Sequence, residues 1–285
     1  MKWPWMGLVV FAAALGTSDA GGQGRSEPAE RSAATEDWRA ATPAGPGTEP
    51  SARPAAGQGL TAMARAATAN KYLFIFFWKE KNPQADAVWN VLQSAMGRLA
   101  EWADWTSVRI TDPAEKPIVE RFGVDRAPMP LVLALAPNGA ITKAFPGKLE
   151  ESQLRAAFVS PGTELCLKAL QDRKLVLLCV REPLPQQGRL AVPPGVGQFK
   201  ADPRCARVTE VVLLDPREPA EKSFLKELQI DPRVGAVTVL LAPPGGVVGK
   251  FPGSVSKDQL VAKLATAQSA CPGGKCGPNG CGPKR

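Results

Sequence analysis

The sequence predicts two α/β domains in tandem, with an export signal and a leader before them and a cysteine-rich tail after them. Two observations predict this organisation. Apolar runs of strand length alternate with segments of helical spacing in the order α-β-α-β-α-β-β-α. That pattern then recurs once along the chain, as expected for duplicated structural units. At 285 residues the chain is long enough for two domains that each bury a core.

Composition excludes several classes of function. The chain contains no His, so the commonest general base, the commonest metal ligand and every Ser-His or Cys-His catalytic pair are absent. The formal net charge is +8, but the Lys and Arg residues are scattered and form no basic cluster with aromatic residues. We therefore expect no nucleic-acid partner, and hydrolytic enzymes are disfavoured.

The first 20 residues have the pattern of a secretory signal peptide. Lys2 supplies an early positive charge, the apolar run Trp3–Leu15 follows, and Ser18 and Ala20 are small residues suited to a cleavage site. The run is about 13 residues long and a membrane-spanning helix needs about 20, so a retained anchor is the alternative interpretation. We expect an exported protein, periplasmic or extracellular, without a membrane span after cleavage. The sequence does not indicate an oligomeric state.

Residues 21–59 are predicted to be a disordered linker. Ala, Pro, Gly, Ser, Thr and Glu dominate this stretch, and Trp38 is almost its only large apolar residue. Such a composition buries too little apolar surface to offset the entropy of ordering the chain, so we expect a flexible tether.

The first domain is predicted over residues 60–160. The buried strand Lys71–Trp78 is a continuous apolar run, and Pro137-Asn138-Gly139 is a turn signal between two strands. The other predicted elements are helices at Leu60–Ala67, Ala87–Trp105, Glu115–Phe122 and Glu150–Phe158, and strands at Thr106–Thr111, Leu131–Ala136 and Ala140–Phe145.

The second domain, residues 161–268, repeats the first. Lys71–Pro113 aligns without a gap on Lys174–Pro216 at an offset of 103 residues. Three inserted residues are then expected, after which Asp125–Leu154 aligns on Asp231–Leu260 at an offset of 106. Turn residues, strand runs and helix ends stay in register, which indicates duplication.

The first repeat resembles the thioredoxin family. The features that carry this resemblance are Phe77-Trp78 at the end of a buried strand, a turn that opens a long helix, and Met129-Pro130 before a β-hairpin. The resemblance implies a central mixed sheet flanked by helices in each domain. It also implies that the peptide bond before Pro130 is cis and lies beside the active-site turn.

Both repeats depart from the family at the residues that carry its chemistry. Asn82 and Ala85 occupy the two cysteine positions of the Cys-x-x-Cys motif, the corresponding residues of the second repeat are Pro185 and Gly188, and Ala236 replaces the cis-proline. A helix N-terminus that would lower the pKa of a thiol therefore has no thiol to act on. We expect a non-catalytic protein rather than an enzyme.

The function that this leaves is binding or scaffolding, with a protein or peptide partner. The expected peptide contact is the degenerate turn and its neighbours, Trp78, Asn82, Pro83, Gln84, Ala85, Met129 and Pro130. The alternative is that these residues form only a rigid turn and part of the core.

The six cysteines divide into two groups. Cys166, Cys179 and Cys205 lie within the second repeat, where we expect small buried apolar residues or one structural disulfide. The tail, residues 269–285, spaces Cys271, Cys276 and Cys281 five residues apart among Gly and Pro. These thiols suit Cu(I) or Zn(II), disulfides, a tethered redox dithiol, or no specific role, and no other cofactor is expected.

Overall fold

The computed structural model describes residues 57–182, 190–231, 233 and 235–269. The predicted signal peptide and most of the predicted linker lie outside these residues. So do Pro185, Gly188 and the three tail cysteines.

The first domain has the predicted order of elements. Its helices are α1 (Gln58–Thr68), α2 (Pro83–Leu99), α3 (Lys116–Phe122) and α4 (Glu151–Arg155), and its strands are β1 (Tyr72–Trp78), β2 (Ala103–Arg109), β3 (Leu131–Leu135) and β4 (Ile141–Pro146). The sheet order is β2-β1-β3-β4. β2 is parallel to β1, whereas β3 is antiparallel to both β1 and β4. This is the mixed sheet that the resemblance implied.

Strand β1 is apolar throughout because both faces of the sheet are covered. Alternate side chains point to opposite faces: Phe74 and Phe76 pack in the cluster that contains α2, and Leu73, Ile75 and Phe77 pack in the cluster that contains α1 and α3. The two clusters form the core of the first domain and fix the position of the turn after Trp78.

Several predicted boundaries in the first domain are wrong, including the start of α2, which lies at Pro83 rather than Ala87, and the start of β2, which lies at Ala103 rather than Thr106. α1 begins at Gln58, two residues before the expected start, and α4 covers only part of Glu150–Phe158. α2 ends at Leu99 rather than at Trp105, which lies in β2. Trp105 packs against Trp89 of α2, with ring centroids 4.7 Å apart. It is therefore a strand residue that is apolar because it contacts the helix, and in the sequence it continues the helical spacing of apolar residues.

The second domain repeats this sheet. Its strands are β5 (Leu175–Val180), β6 (Thr209–Leu214), β7 (Val237–Ala242) and β8 (Gly246–Pro252), in the order β6-β5-β7-β8. Its helices are α5 (Pro161–Gln171), α6 (Pro194–Ala201), α7 (Pro203–Ala206), α8 (Lys222–Glu227) and α9 (Lys257–Ser269). The equivalent of the long helix α2 is divided at Asp202, since Pro203 cannot continue the preceding helix.

The predicted alignment of the repeats is wrong at β2 and β6. In the first domain Tyr72 N–H donates to the Trp102 carbonyl at 2.9 Å, and in the second Leu175 N–H donates to the Val208 carbonyl at 2.7 Å. Strands β1 and β5 therefore align at the offset of 103, but β2 and β6 already align at 106. The three additional residues lie between β5 and β6 rather than after Pro216.

The two domains share helix α5. Its residue Leu167 is buried in the core cluster of the first domain, whereas Cys166 and Leu170 are buried in that of the second. At the end of α5, the Gln171 amide donates to the carbonyl of Ile141 at 2.7 Å and accepts from its N–H at 2.8 Å. The domains thus pack against one another through α5 and the edge strand β4. No helix in the described ranges is long and apolar enough to cross a membrane.

Candidate functional site

The turn after β1 is built around Asn82, the N-cap of helix α2. The Asn82 Oδ1 atom accepts a hydrogen bond from Ala85 N–H at 2.8 Å, and Pro83 is the first helical residue. Asn is among the best N-cap residues because its side chain satisfies a backbone donor at the helix start, and Pro lacks a donor there. The local sequence therefore specifies where the turn ends.

The chemistry of this turn differs from that of a thiol site. A cysteine thiolate at a helix N-terminus is stabilised by the positive end of the helix dipole and is thereby made reactive. Here the neutral amide of Asn82 interacts with the same end of the helix, and Ala85 is buried at 5% exposure. Neither side chain is a nucleophile, so the turn cannot exchange disulfides.

The segment before β3 closes the other side of the site. The peptide bond between Met129 and Pro130 is cis, as the resemblance implied. The Pro130 carbonyl accepts from Gly147 N–H at 2.7 Å, and the Gly147 carbonyl accepts from Gln84 Nε2 at 3.0 Å. Gly147 has φ of 75°, a left-handed conformation that favours glycine. Gln84 thus ties the start of α2 to the loop after β4.

A groove of about 250 Å³ lies between the turn and Pro130. It is lined by Trp78, Lys79, Glu80, Asn82, Ala85, Met129 and Pro130. Five of the seven residues predicted for a peptide contact line it together. Pro83 and Gln84 do not line it: Pro83 starts the helix and Gln84 positions the loop at Gly147.

Sequence reasoning missed three residues at the groove. Lys79 and Glu80 are exposed and line it, and the Arg109 guanidinium lies 5.4 Å from the centre of the Trp78 ring. Lys79 and Glu80 follow Trp78 directly and were identifiable by position. The contact of Arg109 depends on the register of β2, in which Arg109 pairs with Trp78.

The second domain keeps part of this geometry. Ala236 stands at the position of Pro130, and its carbonyl accepts from Gly253 N–H at 2.7 Å, as the Pro130 carbonyl does from Gly147. The hydrogen bond between these two loops therefore does not depend on the proline.

The three domain cysteines are free thiols, so of the two expectations for them the structural disulfide is wrong. Cys166 and Cys179 are buried and Cys205 is half-buried. Burial raises the pKa of the Cys166 thiol far above its usual range and that of Cys179 to about 11. Both therefore stay protonated near neutral pH and act as small apolar core residues.

Two buried glutamates bind the first helix of each domain, and sequence reasoning missed both. Glu115 Oε2 accepts from Gly59 N–H at 3.1 Å, and Glu221 Oε1 accepts from Gly162 N–H at 2.8 Å. Each belongs to a Pro-Ala-Glu-Lys segment, Pro113–Lys116 in the first domain and Pro219–Lys222 in the second. This repeated segment was the available signal, but the alignment that ran through Pro216 concealed it.

The described residues offer no grouped metal ligands. Within the described ranges, no three Cys, Asp or Glu side chains form a group able to hold a metal ion. Cys271, Cys276 and Cys281 lie outside these ranges, so the predicted tail site stays a prediction.

Comparisons with known proteins give distant structural likenesses only. No protein family model matches the chain, and no curated protein matches it. The first two thioredoxin domains of Saccharomyces cerevisiae Eps1p are 12% identical, cover 75% of this chain and 97% of theirs, and give a TM-score of 0.29. Human ERp44 in its zinc-bound form is 9% identical, with 74% of this chain and 60% of that chain covered and a TM-score of 0.32. Thioredoxin O2 from Arabidopsis thaliana is 10% identical over 35% of this chain and 82% of its own, with a TM-score of 0.29.

The fold follows from the chain's own topology. Each sheet has a central strand with one parallel and one antiparallel neighbour and an edge hairpin, and helices cover its faces. In the first domain the residue before that hairpin is the cis-proline Pro130. The chain has the fold of two thioredoxin-like domains in tandem, and the turn that opens α2 in the first domain has no Cys-x-x-Cys pair.

Proposed function

We propose that this is an exported, non-catalytic thioredoxin-like protein of the cell envelope, which binds an extended segment of a partner protein in the groove beside Pro130. One observation carries the proposal. The groove between the turn and Pro130 is present, whereas the nucleophile that would act in it is replaced by the helix cap Asn82.

The lining of the groove supports peptide binding. Trp78 and Met129 are half-buried, so each presents apolar surface that a partner side chain can cover. Trp and Met are enriched in protein interfaces, and buried aromatic residues carry much of the binding energy. Lys79 and Glu80 add one charge of each sign at the rim, where they contribute to orientation more than to affinity.

The rigidity of the site supports the same role. Gln84 is bonded to Gly147, and Gly147 is bonded to Pro130, so the two walls of the groove are joined. A groove whose walls are already fixed loses little conformational entropy when it binds a ligand.

Reduced and carboxymethylated α-lactalbumin, an unfolded polypeptide, tests the binding proposal by calorimetric titration. Lys79→Trp places a large side chain on the groove, and Lys81→Trp is the matched control because it removes the same charge from an exposed residue outside the lining. We expect Lys79→Trp to weaken binding about tenfold or more, a loss of about 1.4 kcal/mol. Equal affinities of the two variants, or no binding by the native chain, would contradict the proposal.

Export is tested separately by N-terminal sequencing. The charge at Lys2, the apolar run after it and the small residue Ala20 support cleavage by a signal peptidase. We expect the mature protein from the native host's envelope fraction to begin at Gly21. Recovery of the intact Met1 terminus in the cytosolic fraction would contradict export.

A further inference from the structure

Arg109 is held at the edge of the groove beside Pro130 by the sheet itself. Its guanidinium lies over the Trp78 ring, 5.4 Å from the ring centre, and Trp78 lines the groove. The two residues are paired at the ends of β1 and β2, so their side chains project from the same face of the sheet. The position of this cation therefore depends on strand register rather than on a loop.

The contact with Trp78 leaves the hydrogen-bond donors of Arg109 available. A guanidinium has five N–H donors and no acceptor, and a cation–π contact is an attraction between its charge and the ring. Arg109 is exposed, and no group in the described ranges forms an ion pair with it or accepts a hydrogen bond from it. Asp112, the next carboxylate along the chain, instead accepts from Ala114 N–H at 2.9 Å. Arg109 is thus able to bind a carboxylate through two parallel hydrogen bonds.

The second domain lacks this arrangement. The alignment of the strands places Arg181 at the position of Trp78, and it places Asp215 at the position of Arg109. Asp215 is ion-paired with Arg217 at 2.9 Å. Of the two domains, only the first therefore combines an aromatic ring with a cation at the end of its paired strands.

The charges at the groove favour an acidic ligand over a basic one. Among the lining residues, Lys79 and Glu80 carry opposite charges that cancel. Arg109 adds a positive charge beside them, and helix α2 begins at the groove with the positive end of its dipole. Complementary charge across an interface selects among partners, and like charge excludes them.

We propose that Arg109 makes the groove selective for a segment that carries an aspartate or glutamate. The carboxylate of that residue pairs with the Arg109 guanidinium, and an apolar neighbour in the segment covers Trp78 and Met129. Because the contact with Trp78 already restricts the Arg109 side chain, pairing removes little further conformational entropy from it. This inference rests on the function proposed above, since it names the class of segment that the groove binds.

The test compares two blocked peptides by calorimetric titration of the full mature chain. Acetyl-Ser-Asp-Val-Leu-Val-Asp-Ser-amide has a carboxylate on each side of an apolar centre, so that either chain direction brings one to Arg109. The second peptide has Asn in place of both Asp residues, which keeps their shape and removes their charge. Arg109→Gln removes the guanidinium. Lys81→Gln is the matched control, because it removes the same charge from an exposed residue outside the lining of the groove.

We expect the native chain to bind the Asp peptide about tenfold or more tightly than the Asn peptide, because hydrogen bonds between charged partners are about twice as strong as neutral ones. In Arg109→Gln this preference should fall to about twofold or less, and the affinity for the Asn peptide should be unchanged. Lys81→Gln should keep the preference of the native chain.

Equal binding of the two peptides to the native chain would overturn this inference and leave the groove as a binding site without a charge preference. An equal loss of affinity for both peptides in Arg109→Gln would also overturn it, since Arg109 would then only support Trp78. The same fall in preference in Lys81→Gln would overturn it in favour of a general effect of charge. Absence of binding by either peptide at about 5 mM would contradict the function proposed for the groove as well.

Discussion

The phenolic oxygen of Tyr72 lies 2.5 Å from Oε1 of Glu164, and this hydrogen bond joins the first strand of the first domain to the first helix of the second. The same oxygen accepts from Val159 N–H at 3.0 Å. Tyr72 therefore holds both the segment that connects the domains and the helix that they share. The corresponding residue of the second domain is Leu175, so this contact belongs to the junction and not to the repeated fold.

The ionisation of Tyr72 provides a direct measurement of this junction. Burial and the hydrogen bond to Glu164 raise the pKa of Tyr72 well above its ordinary value of about 10. Tyr72 is the single tyrosine of the chain, so tyrosinate absorbance at about 295 nm reports on this residue alone. We expect no tyrosinate to form through the pH range in which a free tyrosine ionises, and then a step that coincides with unfolding.

Unfolding followed by circular dichroism is the control for this titration. Tyrosinate that forms near pH 10 while the circular dichroism stays native would show that Tyr72 is not held as described. Glu164→Gln provides a second comparison, because it removes the negative charge that helps to raise the pKa of Tyr72 and should therefore lower that pKa in the folded protein.

Glu164 makes stability at the junction depend on pH. Burial raises the pKa of Glu164, and the negative charge of Glu221 raises it further, although the Tyr72 hydrogen bond opposes the shift. A carboxyl with a raised pKa in the folded state contributes its stability fully below its unfolded pKa, and that contribution is lost as the pH rises through the folded pKa. The ionised form of Glu164 therefore stabilises the folded protein less than its protonated form does.

We therefore expect Glu164→Gln to increase the free energy of unfolding at pH 7, since the amide still accepts from Tyr72 and carries no charge. The difference from the native chain should shrink as the pH falls through the raised folded pKa of Glu164 towards its unfolded pKa of about 4.3, and should stay small below that pH, where the carboxyl is protonated in both states. Urea unfolding at several pH values measures it, with the exposed Glu101→Gln as the control for loss of a charge. A variant that is less stable than the native chain at pH 7 would contradict this assignment.

The buried glutamates Glu115 and Glu221 give a matched pair of variants in one chain. Glu221 accepts two hydrogen bonds on different oxygens, from Gly162 N–H at 2.8 Å and from the Ser160 hydroxyl at 2.6 Å. Glu115 accepts from Gly59 N–H, which approaches both of its oxygens at 3.1 and 3.4 Å. A glutamine keeps one acceptor oxygen, so it can replace Glu115 more completely than Glu221.

We expect Glu221→Gln to destabilise the protein by about 1–3 kcal/mol, because it removes the charge and one of the two acceptor oxygens that Gly162 N–H and the Ser160 hydroxyl use, and Glu115→Gln to cost less. Chemical denaturation measures the loss of unfolding free energy in both variants, provided that the dependence of this free energy on denaturant concentration is unchanged. Equal costs, or a larger cost for Glu115→Gln, would show that these carboxylates do not act through the helix-start hydrogen bonds.

The fold class was predictable from the sequence, whereas the register in which the strands pair was not. The apolar run of β1 and the turn at Pro137-Asn138-Gly139 can be recognised from a short stretch of sequence, because strand composition and turn chemistry are short-range properties. The end of α2 was not predictable, since Trp105 is apolar for a contact with Trp89 that exists only after β2 has paired with β1.

The same limit applies to the candidate site. Asn82, Ala85 and Pro130 were found because they occupy positions of a known motif, whereas Arg109 reaches Trp78 only through strand register. The contact between the two domains had no sequence signal, since Gln171 bonds to Ile141 only when α5 packs on β4.

The last prediction concerns whether the turn lacks catalysis only because it lacks its thiols. Asn82→Cys together with Ala85→Cys restores the Cys-x-x-Cys pair at the start of α2, in a chain whose Cys271, Cys276 and Cys281 are replaced by Ser. The helix N-terminus that now interacts with Asn82 Oδ1 would then stabilise a thiolate at residue 82. We expect a thiol with a pKa below about 8.5 and dithiothreitol-dependent insulin reduction, both absent from the parent with Asn82 and Ala85.

The comparison that decides this point is the native chain with its tail cysteines intact. If the groove beside Pro130 serves binding alone, the native chain reduces insulin no faster than dithiothreitol does by itself. Turnover by the native chain that disappears when the three tail cysteines become Ser would instead make the tail the redox site. The engineered pair and the tail would then be two separate sources of thiol chemistry, of which only the tail operates in the natural sequence.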